Sequence, residues 1–289
     1  MKIGIIGSGR VGFSMGKYLT DKKVEIVGYY DRHPERAAEA AHFTGTDSYP
    51  TMEALVEASD TLFLTTPDAE IAKAWDCIAK MSEKSNLCNK IICHFSGSLS
   101  SVVFQGIEAT GASCASIHPM LAFSDKYSSY QQLNHAFLTI EGMPMAVEKM
   151  CTLFTKLGNQ VCEIDKSCKE LYHCAASVLS NQVIAVLESG YEMLEQCGFS
   201  REAAMQATHG LVLGNVENVL EKGCQAALTG PIERGDALTV KKHLAALKED
   251  EKNHEMYVNL GEKLVQIAEA KNPEKDYQEI KQIFESERK

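Results

Sequence analysis

Two sets of residues in this chain have the types and spacing to do chemistry. The first is Gly7-Ser8-Gly9-Arg10-Val11-Gly12, set between a short apolar segment, Lys2 to Ile6, and a segment from Phe13 onward that reads as a helix. In that context G-x-G-x-x-G is a pyrophosphate cradle: one glycine for the tight turn, one for close backbone approach, one for helix–strand packing. The helix end adds free N–H groups and a partial positive charge. The second set is Lys169, His173, Ser177 and either Ser180 or Asn181, spaced to share one face of a long predicted helix. Lys and His can move a proton or stabilise charge on a heteroatom, and Ser or Asn can orient a substrate.

The elements that must position these residues follow from the pattern. Val24 to Tyr30 reads as a second strand and ends at Asp31, 19 residues beyond Gly12, close to the offset of a ribose-binding acid. Asp31 favours an unphosphorylated ribose, whereas Arg32 and His33 can hold a 2′-phosphate. The expectation is that both NAD and NADP bind. Further strand readings are Thr61 to Thr66, Lys90 to Phe95, Ser113 to Ile117, Ala136 to Glu141 and Gln160 to Ile164, with helices predicted at 34–41, 51–55, 69–78, 99–109 and 144–157. Residues 124–135 read as a loop, and Asp68 as a helix N-cap. Alternating apolar strands and helices imply a doubly wound, mainly parallel Rossmann-like sheet covered on both faces. Ligands of such sheets sit at the carboxyl ends of the strands. The tripeptides Thr65-Thr66-Pro67, Ser96-Gly97-Ser98 and His118-Pro119-Met120 are therefore expected in the crevice.

From Asp165 the texture becomes helical throughout. This predicts a dinucleotide-binding domain over 1–164 and an all-helical domain over 165–289, with helices at about 166–196, 200–221, 238–249, 252–271 and 274–286. The loop Thr229 to Asp236 is dense in turn formers and charge. It either closes over the crevice or is a plain interhelical loop.

The chain has 289 residues, 45% hydrophobic and 24% charged, with net charge −10. This argues against a nucleic-acid or anionic-membrane surface, which needs basic patches. No apolar run approaches a membrane span and no leader pattern opens the chain, which predicts a cytoplasmic protein. The ten cysteines form neither C-x-x-C nor zinc spacing, so reduced thiols and no metal are expected.

The chain resembles the 6-phosphogluconate dehydrogenase-like superfamily, and most of all its NADP oxidoreductases that pair a Rossmann-like domain with a DUF2520 helical domain. The likeness rests on Gly7 to Gly12, His94 to Ser98, Ser116 to Met120, Lys169 through Ala176, Ser180-Asn181, and Leu228 to Pro231 with Arg234 to Asp236. It implies a homodimer through the helical domain. In the related β-hydroxyacid dehydrogenases a Lys is followed one turn later by an Asn. Lys169 matches that Lys, and His173 stands where the Asn would be. His118-Pro119 is similar to a His-Pro motif of prephenate dehydrogenases.

The resulting expectation is an NAD(P)-dependent oxidoreductase acting on a small, carboxylate-bearing substrate. Gly7 to Gly12, Asp31, Arg32, Thr65, Thr66, Pro67, Ser96 and Gly97 would hold the coenzyme. Lys169, His173, His118 and Ser96 would do the chemistry, with the proton on Lys169, His173 or His118. The alternatives are a non-catalytic NAD(P)-sensing dimer, a prephenate-dehydrogenase-like enzyme, or a deazaflavin-dependent reductase.

Overall fold

The computed structural model describes residues 1–81 and 86–288, which form two compact units, Met1–Ser180 and Asn181–Lys289. In the first unit the chain runs β1 (Lys2–Ile6), α1 (Arg10–Asp21), β2 (Glu25–Tyr30), α2 (Pro34–Thr44), β3 (Asp47–Ser48), α3 (Met52–Ala58), β4 (Thr61–Leu64) and α4 (Asp68–Met81). It continues with β5 (Ile91–His94), β6 (Ser113–Pro119), β7 (Phe137–Gly142), α5 (Pro144–Lys156), β8 (Gln160–Glu163) and α6 (Lys169–Leu179). The eight strands form one sheet in the order β3-β2-β1-β4-β5-β6-β7-β8, parallel except for the antiparallel β6–β7 pair. The order reverses at β1, so β1 and β4 flank the switch point where doubly wound sheets bind ligands.

Successive strand residues enter different cores. Phe63 packs with Ile3, Ile5 and Phe13, while its neighbours Leu62 and Leu64 pack with Ile6, Ile71 and Trp75. Side chains alternate faces along a strand, so an unbroken apolar run means that both faces are covered.

Several local expectations change. Residues 99–109 form no α-helix but two short 3₁₀ turns, Ser101–Val103 and Ile107–Thr110, divided by Gly106 at φ +75°. The segment expected as loop holds a 3₁₀ stretch, Ser129–His135. It is pinned from afar: Asn159 Nδ2 donates to the carbonyls of Leu133 and Ala136, and Tyr18 donates to Asn159 Oδ1. The two-residue β3 carries no apolar pattern and escapes sequence reading.

The helix predicted at 166–196 breaks at Ser180 (φ −124°, ψ −76°). The compact-unit boundary falls there rather than at Asp165. The physical reason is that α6 is tied to the sheet, since Lys169 and Tyr172 hydrogen-bond to Ser116 and His118 of β6. Asp165 does cap the turn before α6, accepting from Ser167 N.

The second unit contains α7 (Asn181–Gln196), α8 (Arg201–Ala227), α9 (Pro231–Arg234), α10 (Ala237–Ala246), α11 (Glu251–Lys271) and α12 (Gln278–Glu287). Its core gathers Val240, Val258, Val265, Ile280 and Phe284 from α10 to α12. α11 and α12 approach closely at Gly261, where a Cβ would lie 2.4 Å from the Phe284 ring. α7 buries no residue and α8 buries only Ala204.

Candidate active site

The turn from β1 into α1 shows each glycine doing a separate task. Gly7 has φ +102°, a conformation that L side chains avoid. A Cβ on Gly12 would lie 2.2 Å from the Gly7 carbonyl oxygen and 2.6 Å from Thr65 Oγ1, so only glycine lets α1 approach β1. A Cβ on Gly9 would meet nothing within 4 Å, because it would point into open space. Gly9 is also the N-cap of α1 and makes no side-chain cap, which leaves the first amides of the helix directed outward. Thr65 Oγ1 donates to the Gly7 carbonyl at 2.6 Å and locks the turn to the end of β4.

These residues border a cleft of about 550 Å³ at the carboxyl ends of β1, β2, β4 and β5. All the residues expected at the coenzyme line it except Gly12, which packs behind the loop, and Gly97. Asp31 Oδ2 accepts from Ser8 N at 2.7 Å and Oδ1 from His33 N at 3.0 Å, which fixes the carboxylate at the rim while leaving further lone pairs. Arg36, one residue-turn beyond Arg32, also lines the rim and was missed by sequence reasoning. Its signal was a second arginine at the start of α2. Among the described residues, the buried hydroxyls of Ser8 and Thr66 have no hydrogen-bond partner. Buried polar atoms left unpaired are costly, and a bound polar ligand satisfies them. The glycine cradle, the open position at Gly9, the outward amides and these hydroxyls all fit a dinucleotide.

Beside the cleft, around Gly97, the second set of residues assembles. Ser116 and His118 lie two apart on one face of β6, opposite Glu141 and Thr139 of β7. Lys169, Tyr172 and His173, on one face of α6, cover them. Lys169 is 1% exposed, and its Nζ donates to Ser116 Oγ at 2.8 Å. Burial lowers its pKa to about 8, although Glu141 and Asp68 pull it back up. Glu141 is also buried and accepts from the amide and hydroxyl of Ser101, both at 2.7 Å. His118 Nδ1 lies 2.7 Å from the Tyr172 hydroxyl. Burial, followed by the charges of Lys169 and His173, pushes His118 down to about 4. A Cβ on Gly97 would be 2.5 Å from His173 Nδ1 and 2.8 Å from His118 Nε2, so the absent side chain at Gly97 is what lets both rings close in.

The structure brings His118 and His173 together at Gly97 with Lys169 behind them at Ser116, in surroundings the sequence does not reveal. Lys169 is buried behind the site rather than lining it. Ser96 is committed within the chain: its hydroxyl donates to Asp68 Oδ2 at 2.7 Å and accepts from the amides of Ser98 and Leu99. Ser98 donates to the same oxygen at 2.9 Å. Asp68 therefore serves the β5 turn and opens α4 as its first residue, instead of standing before it as an N-cap. Asn181 opens α7, in the second unit. Tyr172, Ser116 and Glu141 were missed as site residues. Glu141 had a signal: a lone acid closing an otherwise apolar strand segment.

His94, fully buried beneath this site, is likewise pushed down to about 4 by burial. Both imidazoles stay neutral in the folded chain while unfolded histidines take up protons below about pH 6.5. The unfolded state then binds more protons, so stability falls as the pH drops from about 6.5 to about 4. For His94 the fall from 6.5 to about 4 corresponds to an upper limit on the order of 3–4 kcal/mol. Chemical denaturation followed across this window should show the loss, and His94→Gln should flatten the pH dependence.

Comparison with known proteins is consistent with this geometry. Residues 2–88 match the family described as NADP oxidoreductase, coenzyme F420-dependent, and residues 136–264 match the domain of unknown function DUF2520. The chain joins these two domains. The DUF2520 match begins at β7 and runs through α6 into α11, so Glu141, Lys169, Tyr172 and His173 all belong to it. No curated protein matches the chain in sequence. Among solved structures, protein TM1727 of Thermotoga maritima superposes with a TM-score of 0.73 at 22% identity, covering 93% of this chain and 98% of that one. BF3122 of Bacteroides fragilis, designated a "putative NADP oxidoreductase", gives 0.67 at 20% identity, covering 92% and 98%. The Plasmodium falciparum pyrroline carboxylate reductase, solved with NADP bound, gives 0.57 at 13% identity, covering 94% and 98%. These similarities establish the shared fold.

Proposed function

We propose that this protein is an NADP-dependent oxidoreductase that reduces a small carbonyl or imine compound carrying a carboxylate. The observation that carries the reading is the juxtaposition at Ser96-Gly97. Ser96 lines the dinucleotide cleft, and the next residue is in contact with His118 and His173. A dinucleotide lying on the Gly7–Gly12 turn with its nicotinamide toward β5 would supply a hydride at that junction. The chain's own groups do the rest. His118 serves the proton on the substrate heteroatom, and His173, whose Nδ1 approaches the same face of Gly97, offers a second polar contact. Lys169 acts through Ser116, placing a positive charge behind the site that favours an anionic substrate.

Arg32 and Arg36 line the same cleft near Asp31, which is held between the Ser8 and His33 amides, and two guanidinium groups there would suit a ribose 2′-phosphate. The family description and the NADP-bound relative support NADP. Titration with NADPH and NADH, followed by coenzyme fluorescence, tests this. Arg32→Ala with Arg36→Ala should weaken NADPH about tenfold or more and leave NADH nearly unchanged. Equal loss for both coenzymes would remove the arginines from phosphate recognition. Turnover is then read on a panel of oxo acids and cyclic imines, with reduced coenzyme F420 as a further arm because the family description names it. Tight NADPH binding with no turnover on any substrate would favour a sensing role instead.

The reading includes a homodimer. On α7 and α8 of the second unit, Ile184, Leu211 and Leu220 are 67–80% exposed. Large apolar side chains left exposed on these two long helices point to burial against a partner. Light scattering after size exclusion should give twice the 31.8 kDa chain mass, and Leu211→Glu with Leu220→Glu should give the single-chain mass. A single-chain mass for the unaltered protein would overturn the dimer.

A further inference from the structure

We propose that Tyr172 is a positioning residue that passes its hydroxyl proton to Nδ1 of His118, so that the opposite ring nitrogen, Nε2, can release its own proton to the reacting heteroatom. This rests on the reductase reading above and extends it to a residue that reading does not require.

The need for such a partner follows from the state of His118. Its ring is mostly enclosed, with Lys169 and His173 adding positive charge from α6, while Asp68 at the start of α4 and Glu141 on β7 are the carboxylates facing the cluster. The imidazole is therefore neutral near pH 7. A neutral imidazole that simply lost a proton would become an imidazolate, a far stronger base than any group in the cluster. It can act as an acid only if a second proton reaches the other nitrogen at the same time.

The geometry supplies that proton. The Tyr172 oxygen lies 2.7 Å from Nδ1, with the two rings nearly perpendicular at 85°. A phenol oxygen is a poor acceptor and an imidazole nitrogen lone pair a good one, so the favoured arrangement has Tyr172 donating to Nδ1. Nδ1 is then unprotonated and Nε2 carries the hydrogen. Burial holds the Tyr172 phenol protonated. Nε2 is the nitrogen that faces Gly97, 2.8 Å from where a Cβ would stand, and Gly97 directly follows Ser96 of the cleft lining.

During reduction the Nε2–H bond breaks as the heteroatom–H bond forms, and the Tyr172 O–H bond breaks as Nδ1–H forms. His118 ends neutral in its other tautomer, and Tyr172 carries the negative charge. Reduced nicotinamide coenzyme is the source of the hydride. Lys169 eases the charge on Tyr172, its Nζ lying 5.7 Å from the ring centroid.

The chain contains its own reference. His243 Nδ1 lies 2.8 Å from the Tyr257 hydroxyl in the second unit, at an exposed position far from any cleft residue in sequence. Nitrogen-15 NMR of the nine histidines in the coenzyme-free protein reads the tautomer directly. His118→Gln and His243→Gln identify the two signals. The expected result is a pyrrole-type Nε2 and a pyridine-type Nδ1 at His118, persisting to below pH 6. Tyr172→Phe should abolish that preference at His118 and leave His243 unchanged. A pyrrole-type Nδ1 in the unaltered protein, or an unchanged tautomer in Tyr172→Phe, would overturn the proposal. With a substrate in hand, Tyr172→Phe should lower kcat roughly 100-fold, as loss of a proton-transfer partner does, with NADPH affinity unchanged. Unaltered kcat in Tyr172→Phe would also overturn it. Absence of turnover in the unaltered protein counts against the reductase reading alone, because the tautomer measurement needs neither coenzyme nor substrate.

Discussion

Gly12→Ala should unfold well below the unaltered protein, Gly9→Ala at the same temperature, and both should bind NADPH poorly. The two glycines occupy one motif and are indistinguishable by type. Their surroundings differ completely. A methyl group on Gly12 would stand 2.2 Å from the carbonyl oxygen of Gly7. That atom is main chain, and Thr65 already holds it through a 2.6 Å hydrogen bond. Neither can rotate away, so α1 must shift from β1 and disturb the packing of Phe13 and Met15 in the sheet core. Overpacking of this kind costs about 1–3 kcal/mol, which for a unit of this size lowers the midpoint by roughly 2–10 °C. A methyl on Gly9 meets no protein atom. It projects into the space a pyrophosphate would occupy, so the fold is spared and affinity falls, by about tenfold or more. Thermal unfolding and NADPH titration on the two variants check this. Equal stability loss in both would show that the open space at Gly9 is not a ligand path.

His118→Gln should lower turnover by about 100- to 10,000-fold, the range for loss of a general acid–base group, while NADPH affinity stays within a factor of two. Glutamine keeps a polar side chain against Gly97 and Tyr172 but cannot exchange a proton. The cleft residues on β1, β2 and β4 are untouched, so coenzyme binding has no reason to change. The pH profile separates His118 from Lys169. Lys169 has its pKa lowered to about 8 by burial and is protonated below that value. If its charge behind Ser116 assists an anionic substrate, turnover falls as the pH rises through about 8. That limb should survive in His118→Gln, because it belongs to another residue. A profile flat between pH 7 and 9 would remove Lys169 from the chemistry, and an undiminished rate in His118→Gln would remove His118.

Much of the site was legible because it sits at strand ends. The apolar runs at 61–66 and 90–95 mark strands of a covered parallel sheet, and the residues just after such strands must face the crevice. Thr65, Thr66, Pro67, Ser96 and Gly97 follow from that rule alone. The i, i+4 spacing of Lys169 and His173 similarly places both on one helical face wherever that helix docks. The commitments of each polar side chain were not legible. Asp68 looked like a helix cap because short acids before apolar helices usually are. It instead accepts two hydroxyls from a turn 28 and 30 residues away. The helix expected over 99–109 failed because local propensity there is weak and Gly106 divides the segment.

The sequence by itself determined the coenzyme cradle and the alternation that builds the sheet. Those depend on local backbone freedom and on side-chain periodicity, which adjacent residues express directly. The tertiary structure decided how the three candidate groups are placed and partnered. The antiparallel β6–β7 pairing sets Ser116 opposite Glu141 and His118 opposite Thr139. The docking of α6 over that pair buries Lys169 and brings Tyr172 to His118. Strand register and helix docking join residues tens of positions apart through burial and hydrogen-bond satisfaction. Such long-range terms leave no local trace in the chain, and here they turn three equivalent candidates into a buried charge, a paired imidazole and an exposed one.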